Sequence, residues 1–126
     1  MIEKKNFYIN GKWVSPTKPN DFEVINPSTE EAFAIISLGS AADADKAINA
    51  AKIAFESWRE TTKEERLDLL EKFDEIYKRR WDEMVEAQSK EMGAPLDFAS
   101  ETHTKMGADI CRNNIEILKN FNFEHQ

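Results

Sequence analysis

Apolar residues recur with a period near two over the first 40 positions and with a helical period over most of the rest. Residues 7–14, FYINGKWV, place Asn10-Gly11 between two short apolar runs. Asn-Gly tolerates the positive φ angles of a type I′ turn, so a β-hairpin is predicted there. Ser15 to Asn20 is a turn-rich connection, with Pro16 and Pro19 blocking regular structure. Residues 22–26, FEVIN, alternate as a strand until Pro27, Ser28 and Thr29. Residues 32–38, AFAIISL, form the next strand and stop at Gly39. The pattern predicts a small antiparallel meander.

The period then changes. Ser40 with Asp43 three positions on has the form of a capping box, with Asp in place of the usual Glu. Ala47, Ala51, Ala54 and Trp58 follow at helical spacing, which implies close packing of the alanine face on a neighbour. Thr62 and Glu65 form a second capping box. The stripe Leu70, Phe73, Tyr77, Trp81, Met84 and Gln88 predicts one helix running to Met92, a rod of roughly 45 Å. Gly93 and Pro95 end it. A third helix starts near Leu96 and carries Phe98, Met106, Ile110, Ile117, Leu118 and Phe121, with Gly107 weakening it slightly. The expected fold is α+β and mostly helical: a strand section over 7–38, then three amphipathic helices over 40–123, within one incomplete domain spanning 1–126.

Composition narrows the function. A chain of 126 residues has room for one domain. At 14.5 kDa a compact fold would expose roughly 6,900 Å². The net charge of −7 argues against sequence-independent nucleic-acid binding, which needs clustered Lys and Arg. Lys78, Arg79 and Arg80 are the one dense basic run and fit a solvated helix face. A single cysteine excludes an internal disulfide and a Cys-based zinc site. The N-terminal residues lack an apolar run of signal-peptide or membrane-span length, so a cytoplasmic protein without membrane partners is expected.

Candidate chemical groups are few. Cys111 lies mid-helix between Ile110 and Arg112, without the base, cation or helix N-terminus that would lower its pKa, and reads as a packing residue. His103 is two turns from Cys111, too far for shared ligation, and His125 is the only other histidine. The paired carboxylates Glu30–Glu31, Glu64–Glu65, Asp74–Glu75 and Asp82–Glu83 point about 100° apart on a helix and read as helix-end or solvent-face charges. There is no G-x-G-x-x-G and no P-loop. No catalytic or dinucleotide-binding residue is therefore assigned.

Five segments in order do carry a resemblance: FYINGKWV, INPSTEE, AFESW, TTKEERLDLLEKF and EMGAPL. Together, from Phe7 to about Phe121, they resemble the N-terminal region of the NAD(P)-dependent aldehyde dehydrogenases. The resemblance implies the start of the cofactor-domain half, ahead of the phosphate-binding segment, the nucleophilic cysteine, the general-base glutamate and the oxyanion-hole asparagine. It implies NAD or NADP as cofactor of the whole enzyme, with neither expected to bind this chain alone. The chain would be a catalytically inert piece of an oxidoreductase converting aldehydes to carboxylic acids. The resemblance further implies a monovalent-cation site drawing on the carbonyls of Val24 and Ile25 and on Glu91, where many relatives carry aspartate. It places Asp109 and Asn113 toward the substrate tunnel. Expected partners are the remainder of the dehydrogenase, or a second copy through uncovered helix faces around Phe73, Tyr77 and Trp81. A freestanding self-association or partner-binding module is the alternative reading.

Overall fold

The computed structural model describes residues 1–123 and divides into two compact units, Met1–Glu60 and Thr61–Gln126. The boundary falls after the first helix rather than before it, so that helix belongs with the strands.

In the first unit the hairpin forms as its turn residues dictate. Strands β2 (Phe7–Ile9) and β3 (Lys12–Val14) pair antiparallel, with Asn10 at φ 52° and Gly11 at φ 74°. Tyr8 faces Trp13 across the ribbon, ring centroids 5.2 Å apart. Strands β4 (Asp21–Asn26) and β5 (Glu31–Ser37) also pair antiparallel. The turn between them is closed by the Asn26 side chain, which accepts from Ser28 N–H at 2.9 Å.

The strands do not make one meander. A first strand, β1 (Ile2–Lys4), lies parallel to β5, giving a three-stranded sheet ordered β1-β5-β4 beside the separate two-stranded ribbon. All three β1 residues are exposed, so no apolar alternation marks it in the sequence. Its place is held by backbone pairing, and by Lys5 just beyond it, which reaches Asp21 at 2.8 Å.

Helix α1 (Ala41–Trp58) starts at Ser40 with the expected capping box. Asp43 does more than a glutamate cap would. One carboxylate oxygen accepts from Ser40 N–H (3.0 Å) and the Ser40 hydroxyl (2.6 Å); the other accepts from Thr17 N–H (2.8 Å) and the Thr17 hydroxyl (2.6 Å). The buried residue thus closes the helix and ties down the proline-rich connection. These bonds hold its carboxyl well below the usual carboxylate range, those from Ser40 contributing most. A depressed folded pKa stabilises the fold above the unfolded value of about 3.9, and that stability is lost as pH falls further. The melting temperature is therefore expected to drop between about pH 4 and 2. Asp43→Asn, which sets an amide N–H₂ against N–H and O–H donors, should lower it at neutral pH and flatten that dependence, as read by circular dichroism.

The alanine face of α1 is uncovered: Ala47, Ala51 and Ala54 are exposed, as are Ile48, Ile53 and Phe55.

In the second unit the expected 30-residue rod is two helices, α2 (Lys63–Arg79) and α3 (Trp81–Met92), with Arg80 between them at φ −101°, ψ 21°. No proline or glycine stands there. The flanking aromatics are each tethered instead: Tyr77 donates its hydroxyl to Thr104 O at 3.1 Å, and Trp81 its indole N–H to Ser100 Oγ at 3.1 Å. The backbone at Arg80 accommodates both anchors.

The last helical stretch opens with α4 (Leu96–Phe98), continues as a π-helical segment (Ala99–Thr104) and ends as α5 (Lys105–Asn120). The π segment packs on α3, and α5 packs on α2. Burial here centres on small residues, Ala99, Thr104, Ala108 and Cys111, with Ile115 the one large apolar side chain buried among the described residues.

Large apolar side chains stand exposed in each unit, among them Ile48, Ile53 and Phe55 in the first and Phe73, Ile110 and Ile117 in the second.

Candidate functional site

Cys111 sits on α5 against α2, 8% exposed, with Sγ 3.8 Å from the Leu70 carbonyl oxygen. Burial pushes its thiol pKa up, and the negative charge of Asp74 adds to the shift. A thiol held in its neutral form is a poor nucleophile. Alkylation by iodoacetamide at pH 7.5 is expected to be at least ~10-fold slower in the native chain than in urea, as read by mass spectrometry.

Asp74 corrects the sequence reading. It is no solvent-face charge but only 8% exposed, paired with Lys78, with Oδ1 buried and without a hydrogen-bond partner among the described residues. Its alternation with Glu75 hides this, because the burial is imposed by α5, which no local pattern of α2 reveals. Gln88 Oε1 and His103 Nδ1 are also buried without partners, while the His103 ring stands edge-on to Phe98 at 4.9 Å. His125 lies outside the described residues. No group of three or more His, Cys, Asp or Glu side chains is placed to hold a metal ion among the described residues.

Val24 and Ile25 are adjacent on β4 at an irregular step of the ladder: Val24 pairs with Ala34 and Ile25 with Ala32, leaving Phe33 of β5 as the extra residue. Both belong to the first unit. Glu91 is exposed in the last turn of α3, in the second unit, two residues before the left-handed Gly93 (φ 69°).

Asp109 and Asn113 come together on one face of α5, four residues apart. Asp109 is held between Lys105 at 2.7 Å and Arg112, and the Lys105 bond keeps its carboxyl below the usual range. Asn113 is exposed.

The feature that sequence reading placed wrongly is the apolar face. Tyr77 and Trp81 point to the π segment, and what remains open is a groove of about 560 Å³ between α2 and α5. Leu70 and Phe73 line one wall; Gly107, Ile110, Asn114 and Ile117 contribute to the other. The four glycines serve a hairpin turn, the approach to α1, a helix end and the Tyr77 contact, and they make no phosphate cradle.

This architecture is found in solved dehydrogenases. It superposes on an aldehyde dehydrogenase from Bartonella henselae with a TM-score of 0.96 and 53% identity, over 98% of this chain and 26% of that one. Aldehyde dehydrogenase C from Pseudomonas syringae, solved with NAD+ and octanal, matches at 0.95 and 35% identity, over 97% of this chain and 25% of that one. Among curated proteins, the 3-succinoylsemialdehyde-pyridine dehydrogenase of a Pseudomonas species is 38% identical over 125 residues, 98% of this chain and 26% of its own length. These solved and curated proteins are aldehyde dehydrogenases, and the match covers about a quarter of each. The sequence profile of the aldehyde dehydrogenase family matches residues 13–125, and the chain belongs to that family. It spans about a quarter of the length of the curated relatives it matches. Among the described residues, no helix is long and apolar enough to cross a membrane.

Proposed function

We propose that this chain serves as the N-terminal part of an enzyme that oxidises an aldehyde to a carboxylic acid with NAD or NADP, and that it carries no chemical step itself. The observation that carries this reading is the match of nearly the whole chain to one quarter of a solved dehydrogenase, at a TM-score of 0.96. The buried thiol of Cys111, with its pKa raised, and the separate local roles of the glycines support this reading. Such chemistry needs a thiolate, donors aimed at a developing oxyanion and a base for water. In this reading the chain supplies scaffold. The α5 face bearing Asp109 and Asn113 adjoins the substrate passage, and the ion pairs with Lys105 and Arg112 keep Asp109 ionised there.

Two assays test it. The purified chain, given an aldehyde and NAD, is expected to form no NADH; turnover that Cys111→Ala abolishes would overturn the reading. A chimera in which residues 1–126 replace the matching quarter of the Bartonella henselae enzyme is expected to keep aldehyde-dependent NAD reduction. A folded chimera without activity counts against the assignment.

A further inference from the structure

Asn10-Gly11 is the one Asn-Gly step in the chain. It forms the tip of the hairpin, with φ 52° at Asn10 and φ 74° at Gly11. An asparagine side-chain carbonyl can be attacked by the backbone nitrogen of the next residue, and glycine leaves that nitrogen unobstructed because it has no Cβ. The attack closes a five-membered ring, so the Gly11 nitrogen must swing to the side of the Asn10 Cβ.

The turn decides whether the folded hairpin permits this. The first central residue has φ and ψ of about 60° and 30° in a type I′ turn, and about 60° and −120° in a type II′ turn. In the first the following nitrogen lies away from Cβ; in the second it nearly eclipses Cβ. The two turns differ by rotation of the single peptide plane between residues 10 and 11, and both close a two-residue hairpin. Asn10 already holds the positive φ that both require. Gly11 would pass from φ 74° to about −80°, two regions that glycine visits with equal ease. A Cβ built at Gly11 meets nothing within 4 Å, so no described residue crowds the rotation. Other asparagines lack this route. Asn49, Asn113, Asn114 and Asn120 are helical, which holds ψ near about −42°. Asn26 precedes Pro27, which has no N–H to lose. Asn6, Asn20 and Asn122 precede Phe7, Asp21 and Phe123, whose side chains crowd the nitrogen.

We propose that Asn10 is a site of spontaneous covalent modification in the folded hairpin, reached through a type II′ turn, and that its isoaspartate product unlatches β2 from β3. The Gly11 nitrogen bonds to Asn10 Cγ and the bond from Cγ to Nδ2 breaks. Nδ2 leaves as ammonia with the proton that Gly11 gives up. Water then opens the cyclic imide at either carbonyl, giving aspartate or isoaspartate with no change of oxidation state. Every reacting atom except those of water belongs to these two residues. In isoaspartate the main chain runs through Cγ, so the loop gains a methylene carbon and no longer fits the Ile9–Lys12 pair.

Incubation of the 126-residue chain at about pH 8, where the attacking nitrogen loses its proton more readily, tests this by peptide mapping and mass spectrometry. Isoaspartate is expected at Asn10 at least ~10-fold sooner than at any other asparagine, and at a rate within ~10-fold of that in urea. Conversion that waits for global unfolding would be slower than in urea by ~10³-fold or more. Gly11→Ala should slow conversion in urea at least ~10-fold, where turn geometry no longer matters. Chains enriched in isoaspartate should lose the near-ultraviolet circular dichroism of the Tyr8–Trp13 ring pair. Asn10→Asp, which adds the same charge on an ordinary main chain, should keep it. Conversion confined to urea would overturn the route through the folded turn. Aspartate without isoaspartate would overturn the ring closure, and an intact Tyr8–Trp13 signal in the isoaspartate form would overturn the unlatching.

Discussion

Gly107→Ala is expected to destabilise the second unit by about 1–3 kcal/mol, although helix propensity alone predicts a gain of roughly 1 kcal/mol. A Cβ built at Gly107 would lie 2.5 Å from the Tyr77 hydroxyl oxygen and 3.1 Å from the ring carbon bearing it. Tyr77 cannot yield freely, since its hydroxyl donates to Thr104 O and its ring stands edge-on to Trp81 at 6.3 Å. The added methyl group must displace the ring, losing a hydrogen bond worth about 1 kcal/mol and imposing a repacking cost of roughly 1–3 kcal/mol. Urea denaturation followed by circular dichroism measures the sum. Tyr77→Phe in the same background removes the nearest atom, so the cost of Gly107→Ala should shrink there. If the alanine variant is instead more stable than the parent, the ring does not occupy that position.

Ile115→Ala should be more damaging. Ile115 is 5% exposed and is the only large apolar side chain fully packed in the second unit among the described residues. Its truncation removes transfer energy and leaves a cavity, together about 3 kcal/mol. A unit of this size has a total stability of only roughly 3–10 kcal/mol. Loss of most cooperative unfolding is therefore expected, with Ile115→Val costing about 1 kcal/mol as a graded control. A large effect of alanine and a small effect of valine in urea titrations would show that this one side chain carries the packing of α5 on α2. Equal small effects would show that the alanine-rich contacts carry it instead.

Much of the local structure was legible because it is encoded locally. Asn10-Gly11 can turn a hairpin whatever surrounds it, and Ser40/Asp43 and Thr62/Glu65 satisfy helix-end N–H groups from within four residues. Order and spacing of five short segments were enough to assign the family. The readings that changed all depend on distant partners. β1 is a strand only because β5 offers it an edge. Arg80 interrupts a helical pattern that is continuous in sequence, because Tyr77 and Trp81 are bound to residues 20 or more positions away or nearly so. Asp74 is buried by a helix that follows it by about 30 residues.

The candidate site divides in the same way. That Cys111 lacks an activating neighbour could be read from its flanking residues. That its thiol is sealed against the Leu70 carbonyl could not. The sequence reading expected an uncovered face around Phe73, Tyr77 and Trp81; periodicity treats the three as equivalent, and only their contacts separate the two tethered rings from the open one. Turns, caps, helical faces and family membership were thus determined by the sequence itself, since their energies come from residues close along the chain or from their order. Strand partners, the break at Arg80, the need for Gly107 and the location of the open groove were decided by tertiary structure. Each depends on which surfaces meet, and that is a property of packing that one-dimensional spacing does not contain.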